Sequence, residues 1–566
     1  MASDVWSDRW PAGLLVLIAS GALGCGAAEP GVIPRAVLGG VVSAATPEAA
    51  ETAVALLERG ATAVEAAVAG MFSLMVSDPV TAGLGARVVV IVVPPPDSAG
   101  DPVVISGPSA SASATRSGGT PDAVAIASRL LEQFGPGSFT LPELVAPSVL
   151  LATEGVALGP SRHRSLVRHQ PEVRAVPGLA ALFLDPDGSI PAEGALRPNL
   201  LLADALSVIR DEGVDAFYAR LAVATGGGGA PTVSQRPLTS HRLPGSAFEF
   251  LIDPEQSESV YFLRALGLLS GLESTIRTDG PNPVWARGIA HALSMAATAG
   301  TIRLTAAEIE AFRGQVPEMG PSDPDETGVR NSPRGTTQVS EPGPGSVPLS
   351  DQAGTFETSA LVVADELGGV VIVGLSLGAP FGALEVAPGM GFVLPSRSSG
   401  VALSDAFAAA VVRDAVGMPV MAAVSTGRGR AVAGGALVQA YLHRVRPGAP
   451  SSQGFLATPR VRLLPGPPAR VFFEGRAGPS ARTDPATGFW GEDSAAELRG
   501  QGFVLGDPGR DPSRLDGLSA FFGSALMLWR SEAGWEGAAD PRTDGLARLV
   551  RPVPLPVSEP TQPGGS

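Results

Sequence analysis

Between residues 315 and 356 the chain is rich in Pro, Gly, Ser, Asp and Thr, and at Glu357-Thr358-Ser359-Ala360-Leu361-Val362-Val363-Ala364-Asp365 it turns abruptly apolar. This junction constrains the fold most. A stretch of that composition cannot bury enough apolar surface to offset its ordering entropy, which predicts a mobile surface segment over 315–357. The run from Thr358, TSALVVADELGGVVIVGLSLGAPFG, is two apolar β-rich stretches about Gly368-Gly369, a hairpin signal. The fold must therefore bury a hairpin whose first residue is fed by an exposed segment. A threonine there can become a new N-terminus. Cut before Thr358, the chain would carry a free α-amine on the same residue as the hydroxyl to be deprotonated, the N-terminal-threonine form of nucleophile activation. A threonine that merely opens a strand after a surface loop fits the local residues equally, and on those residues alone it is the commoner case.

Other segments widen the context. Ala45-Thr46-Pro47-Glu48-Ala49-Ala50 leads through Leu56-Leu57-Glu58-Arg59-Gly60 to Ala63-Val64-Glu65-Ala66-Ala67-Val68-Ala69. Asp78-Pro79-Val80-Thr81-Ala82-Gly83-Leu84-Gly85 is a carboxylate-Pro pair with a glycine-rich turn. Leu141-Pro142-Glu143-Leu144-Val145-Ala146-Pro147 with Glu154-Gly155, then Asp211-Glu212-Gly213-Val214-Asp215-Ala216-Phe217-Tyr218, follow in order. Near the C-terminus stands Glu536-Gly537-Ala538-Ala539-Asp540-Pro541-Arg542-Thr543-Asp544-Gly545. With the run from Thr358, these segments resemble the γ-glutamyltransferase (glutathione hydrolase) family over most of the chain, most specifically in residues 536–545.

That resemblance implies an α+β fold, a four-layer αββα sandwich of the N-terminal-nucleophile hydrolase type with the sheets inside. It implies Thr358 as nucleophile and Ser376 as a second hydroxyl contacting it. It also implies that Gly434 and Gly435, in Ala431-Val432-Ala433-Gly434-Gly435-Ala436, offer backbone N–H groups to the developing oxyanion. Taken as residues alone, a glycine pair in a β-rich run is a bulge or turn.

The chain departs from the family where a γ-glutamyl substrate would dock. Val104-Ile105-Ser106-Gly107-Pro108-Ser109 lacks the family's carboxylate-binding Arg, and Arg116 is the nearest. With Pro419 and Thr426 as anchors, the family's Ser-Ser pair falls on Met421-Ala422; its amine-binding Asp falls near Gly400, beside Arg397. A family Asn and His are replaced by Gly378 and Ala360. Losing both charged clamps costs several kcal/mol, at roughly 1.5–3 per charged hydrogen bond, so specificity is expected to differ.

Apolar residues 14–24 end at Cys25, the one cysteine in the chain. The stretch has signal-peptide length, short of the about 20 residues that span a bilayer. It resembles a bacterial lipoprotein signal, with an ordinary cleaved signal or a buried N-terminal helix as alternatives. The expected organisation is a signal over 1–25, a large-subunit-like region over 26–357 and a small-subunit-like region over 358–566 with a disordered tail at 552–566. The mature protein would sit outside the cytoplasm, at a bacterial cell envelope, anchored at Cys25 only.

With 40 basic against 55 acidic residues, a net charge of −15 and no basic-aromatic pattern, no nucleic acid is expected as partner. A small-molecule or short-peptide amide suits the chain better, along with heavy and light fragments of the same chain if it is cut. His163, His169, His241, His291 and His443 are scattered without metal-ligand spacing, so neither metal nor cofactor is expected. Helical periodicity marks 63–75, 122–134, 142–154, 200–212, 258–269, 284–297 and 306–313, Thr46 can cap an earlier helix ending at Gly60, and 88–93 reads as a strand with both faces covered. Two function classes result: a self-cleaving γ-glutamyltransferase-like amidohydrolase, or a catalytically degenerate relative that keeps the sandwich as a surface binding lipoprotein.

Overall fold

The computed structural model describes residues 39–98, 100–107, 120–227, 229–243, 246–270, 283–297, 304–316, 358–396, 407–427, 431–445, 455–456, 458, 460–464, 469–474, 491–505, 523–531 and 534–551. All lie within the unit Val37–Val553. The expected signal with Cys25, residues 317–357 of the expected mobile segment, the tail at 552–566, and Arg116, Arg397 and Gly400 lie outside the described residues.

Two antiparallel sheets form the centre. The first has seven strands in the order β18 (Leu546–Val550), β1 (Gly40–Ala44), β9 (Ser359–Asp365), β10 (Val370–Ser376), β2 (Arg87–Val93), β3 (Val103–Ser106) and β6 (Ser234–Pro237). The second has six: β17 (Gly534–Ala539), β16 (Ser524–Ser531), β12 (Pro419–Thr426), β11 (Phe407–Arg413), β8 (Glu249–Ile252) and β7 (Thr239–Arg242). A small sheet joins β13 (Val461–Leu464), β14 (Arg470–Phe473) and β15 (Val504–Leu505), and β4 (Val156–Ala157) pairs with β5 (Leu196–Arg197).

Alternation along the strands assigns the layers. In β9, Ala360, Val362 and Ala364 pack between the sheets with Val424 and Leu528. Leu361 and Val363 face a second core with the helices Pro47–Glu58 and Ala63–Ser77. The outer face of the second sheet is covered by Ser257–Leu269, Pro283–Ala296 and Val432–Val445. Every strand in the middle of the first sheet is thus buried on both faces, which is why β2, β9 and β10 read as nearly unbroken apolar runs rather than alternating ones.

The opening helices follow from their caps. Thr46 Oγ1 accepts from the Ala49 amide at 3.4 Å with Pro47 in the first turn, and Gly60 (φ 83°) follows the helix's end. Thr62 and Glu65 form a capping box, and buried Glu65 also accepts from the Phe139 amide at 2.9 Å. The expected hairpin is present. The Asp365 amide donates to the Gly369 carbonyl at 3.0 Å, Gly368 has φ 89°, and the Asp365 carboxylate accepts from Gly369 at 2.9 Å and from Ala63 at 3.0 Å. That last bond fastens the turn to a helix N-terminus, so the hairpin's closed end is fixed. Gly40 permits the close approach of β1 and β9: a Cβ there would lie 2.5 Å from the Ala364 carbonyl oxygen.

Candidate active site

At the other end of the hairpin, β9 and β10 are in register with Ser359 opposite Leu375, and Ser376 lies opposite Arg87 of β2. One step further along the same register, Thr358 stands across from Ser376. Directly opposed residues share a face, so Thr358, Ser376 and Arg87 form one row across three strands. Parity places that row on the inter-sheet face, with Ala360, Ile372 and Val89. Neighbouring strands run about 4.8 Å apart, within reach of one hydroxyl for the next. Ser376 Oγ accepts from the Gly378 amide at 2.9 Å, while Thr358 Oγ1 is buried and has no hydrogen-bond partner among the described residues. Gly378 (φ 84°) is where the family Asn was expected. A Cβ there would sit 2.1 Å from Ser396 Oγ, so a side chain would have to displace that hydroxyl and adopt a left-handed backbone.

Thr358 opens on a cavity of about 90 Å³, lined from the facing sheet by Thr426, Gly427 and Ser524 and from the helical side by Asp78, Arg162 and Asp544. Thr426 Oγ1 and Ser524 Oγ lie 2.9 Å apart. Asp78 follows the C-terminus of Ala63–Ser77 and accepts from Thr81 Oγ1. Burial raises its pKa, opposed by Thr81, Arg162 and Ser359. The same Asp78–Gly85 loop braces the site's floor, its Thr81 and Val80 carbonyls accepting from Leu377 at 2.8 Å and Phe381 at 2.9 Å. Glu48, close to Arg162, is also raised by burial, with Arg162 opposing.

Arg162, on the helix Pro160–Arg168, is the residue that sequence reasoning missed. It is 8 % exposed, donates through Nη2 to the Ala157 carbonyl at 2.8 Å, and has Nε 3.8 Å from Asp544 Oδ2 without a hydrogen-bond partner. Asp544 Oδ1 accepts from the Ser161 amide at 3.0 Å, capping that helix from 383 residues away. Four and two residues back, Asp540 and Arg542 belong to a buried network. Arg542 pairs with Asp540 at 2.9 Å and Glu474 at 2.5 Å, and Arg460 pairs with Asp540 at 2.5 Å. Burial would raise Asp540, but Arg460 and Arg542 outweigh it and its pKa falls below the usual carboxylate value. Residues 536–545, the most family-like stretch, thus carry one side chain set into the core and another into the cavity.

Two expectations are corrected. Gly434 and Gly435 are not in a β-run but in the first turn of Val432–Val445, and the Gly434 amide donates to the buried Glu258 carboxylate at 2.9 Å, as Ala431 does at 2.6 Å. Gly434's N–H is therefore committed, and neither glycine lines the Thr358 cavity; Gly427 does. Met421 and Ala422 are mid-strand in β12, paired with Val412 and Val411 on one side and with Trp529 and Leu528 on the other, and belong to the two cores. Neither lines the Thr358 cavity. Among the described residues, no group of three or more His, Cys, Asp or Glu side chains is placed to hold a metal ion, and no helix is long and apolar enough to cross a membrane.

Residues 49–224 match the family model for gamma-glutamyltranspeptidase. No curated protein matches the chain in sequence. Among solved structures, cephalosporin acylase from Bacillus halodurans aligns over 93 % of this chain and 98 % of its own at 18 % identity with a TM-score of 0.61. The structure of LmbA2991HD aligns over 90 % and 98 % at 21 % identity with a TM-score of 0.61. These likenesses agree with the α+β sandwich described above. Residues 49–224 thus carry the likeness to the gamma-glutamyltranspeptidase family model, and the fold over nearly the whole chain is that of the two solved structures.

Proposed function

We propose that the chain is an N-terminal-nucleophile amidohydrolase that cleaves itself before Thr358 and acts on an amide other than an ordinary γ-glutamyl one. The observation that carries this is the unpartnered, buried Thr358 hydroxyl at the open end of β9, facing a cavity. In this reading Thr358 Oγ1 attacks the amide carbon and passes its proton to the Thr358 amine. The C–N bond breaks as that proton goes to the leaving nitrogen, and water then hydrolyses the Thr358 ester. Ser376, opposite in register, orients the hydroxyl. The oxyanion donors would be backbone groups other than Gly434, whose N–H is taken. That commitment is also what favours the second reading, a degenerate member that binds without cleaving.

A denaturing gel with N-terminal sequencing tests the first reading. The chain should divide into a larger piece ending at Glu357 and a smaller piece starting at Thr358, and Thr358→Ala should remain whole. A single uncut wild-type band after long incubation would decide against self-cleavage. The expected lipid anchor is likewise a proposal: Cys25→Ser should move the protein from the membrane to the soluble fraction, and unchanged fractionation refutes it.

A further inference from the structure

A second cavity, of about 70 Å³, adjoins the first and shares Val80 and Arg162 with it. Its walls are apolar: Val76, Val80, Leu158, Leu166, Leu182 and Phe183. The polar groups at its edge are already engaged. Arg197 pairs with Asp185 at 2.7 Å, Asn199 donates to the Gly391 carbonyl at 2.7 Å and accepts from Leu202 at 3.0 Å, and Ser77 Oγ lies 2.6 Å from Thr46 Oγ1. Arg162 Nε, on the boundary with the Thr358 cavity, is the exception. A concave space walled mainly by apolar side chains, adjoining the Thr358 cavity and rimmed by satisfied groups, has the composition of a ligand pocket. Apart from Arg162, its polar side chains are taken, so the wall itself suits a hydrocarbon.

We infer that this cavity receives the acyl part of the substrate, an aliphatic chain or ring of roughly five to seven heavy atoms, at about 10–15 Å³ per water-sized position, threaded past Arg162 from Thr358. The acyl side is assigned because the acyl group stays on the protein through ester hydrolysis whereas the amine must leave. Arg162 then serves as a polar collar, its Nε–H donating to the oxygen end of the acyl group or of the acid product. The chemistry rests on the amide-cleavage reading above; the binding does not.

The test separates the two. Hexanoate, glutarate, acetate and hexylamine are titrated into the wild-type chain and into Thr358→Ala, with affinity read by calorimetry. Hexanoate should bind both at least tenfold more tightly than acetate, glutarate or hexylamine. Leu166→Trp, and separately the milder Ala157→Leu, fill the cavity and should weaken hexanoate at least tenfold in whichever variant keeps the wild-type circular dichroism. A series of acyl anilides should then be cleaved best near a six-carbon acyl chain. Hexanoate binding no tighter than acetate, unaffected by the folded filling variant, or matched by hexylamine overturns the inference. Hexanoate binding as stated with no anilide cleaved leaves the cavity assignment standing and removes the catalytic reading instead.

Discussion

Arg542 and Arg162 are both buried guanidiniums tied to the same C-terminal segment, and they differ in how completely they are satisfied. Arg542 donates to Asp540, Glu474 and the carbonyls of Leu456 and Thr458, and its charge partners are fully buried with it. Arg162 lines a cavity and has one carbonyl, with its Nε 3.8 Å from a carboxylate and making no hydrogen bond. Buried charge by itself does not mark a working site. Unmet hydrogen-bonding capacity beside an open volume does, because a closed network has nothing left to offer a ligand.

Arg542→Met leaves Asp540 and Glu474 short of their partner and should cost about 3–5 kcal/mol in urea unfolding. A loss near zero would mean the network is not closed. Asp122 provides a third case, a fully buried carboxylate whose Oδ1 accepts from the Val88 amide at 2.7 Å and whose pKa burial pushes up to about 7, with the Val88 amide and Arg87 opposing. The folded chain therefore keeps a proton that the unfolded chain releases near 3.8, so stability falls as pH rises between those values and levels off above about 7. Asp122→Asn keeps the acceptor and removes the titration. It should be near neutral at pH 4 and stabilising by roughly 1–3 kcal/mol at pH 8, read from unfolding midpoints across that range. A pH-independent difference would contradict the raised pKa.

Ser376→Ala removes the bond from the Gly378 amide and should cost about 1 kcal/mol in stability; if the chain cuts itself as proposed, it should also slow that cut tenfold or more on a time-resolved gel. Equal cleavage rates would leave Ser376 without a role at the nucleophile. Arg162→Met gives up one carbonyl bond, a long ion pair and the charge opposing Asp78 and Glu48, and should cost clearly less in unfolding than Arg542→Met, about 1–2 kcal/mol. A penalty as large as that of Arg542→Met would erase the distinction between the two guanidiniums.

Much of this architecture was legible in the chain. Caps and periodicity placed the helices Pro47–Glu58, Ala63–Ser77, Leu141–Glu154 and Leu200–Asp211 to within one or two residues, and the Gly368-Gly369 turn fixed the hairpin whose register sets Thr358 against Ser376. The helix Val432–Val445 was misread as β because it is buried nearly all round, which removes the polar stripe that makes a helical period visible. Its glycines were misassigned for the same reason: their surroundings, Glu258 above all, lie some 170 residues away in sequence and leave no local mark. Arg162 sits in Pro160–Arg168, a segment so rich in Arg and His that it reads as solvated surface. Only the fold brings Asp544 to it.

The pairing of β9 has a further mechanical consequence. Its partners are β10, which belongs with it on any fragment starting at Thr358, and β1, which belongs to the other piece; Gly40 through Ala44 pair with Asp365 through Leu361, and the Ala45 amide adds a bond of 3.0 Å to the Ala360 carbonyl. β2 grips β10 from the far side over seven residues in the same way. A break in the backbone before Thr358 would therefore sever covalent continuity without parting any strand. The two pieces would travel through a sizing column as one particle, unfold together in urea, and declare themselves as two chains only after denaturation.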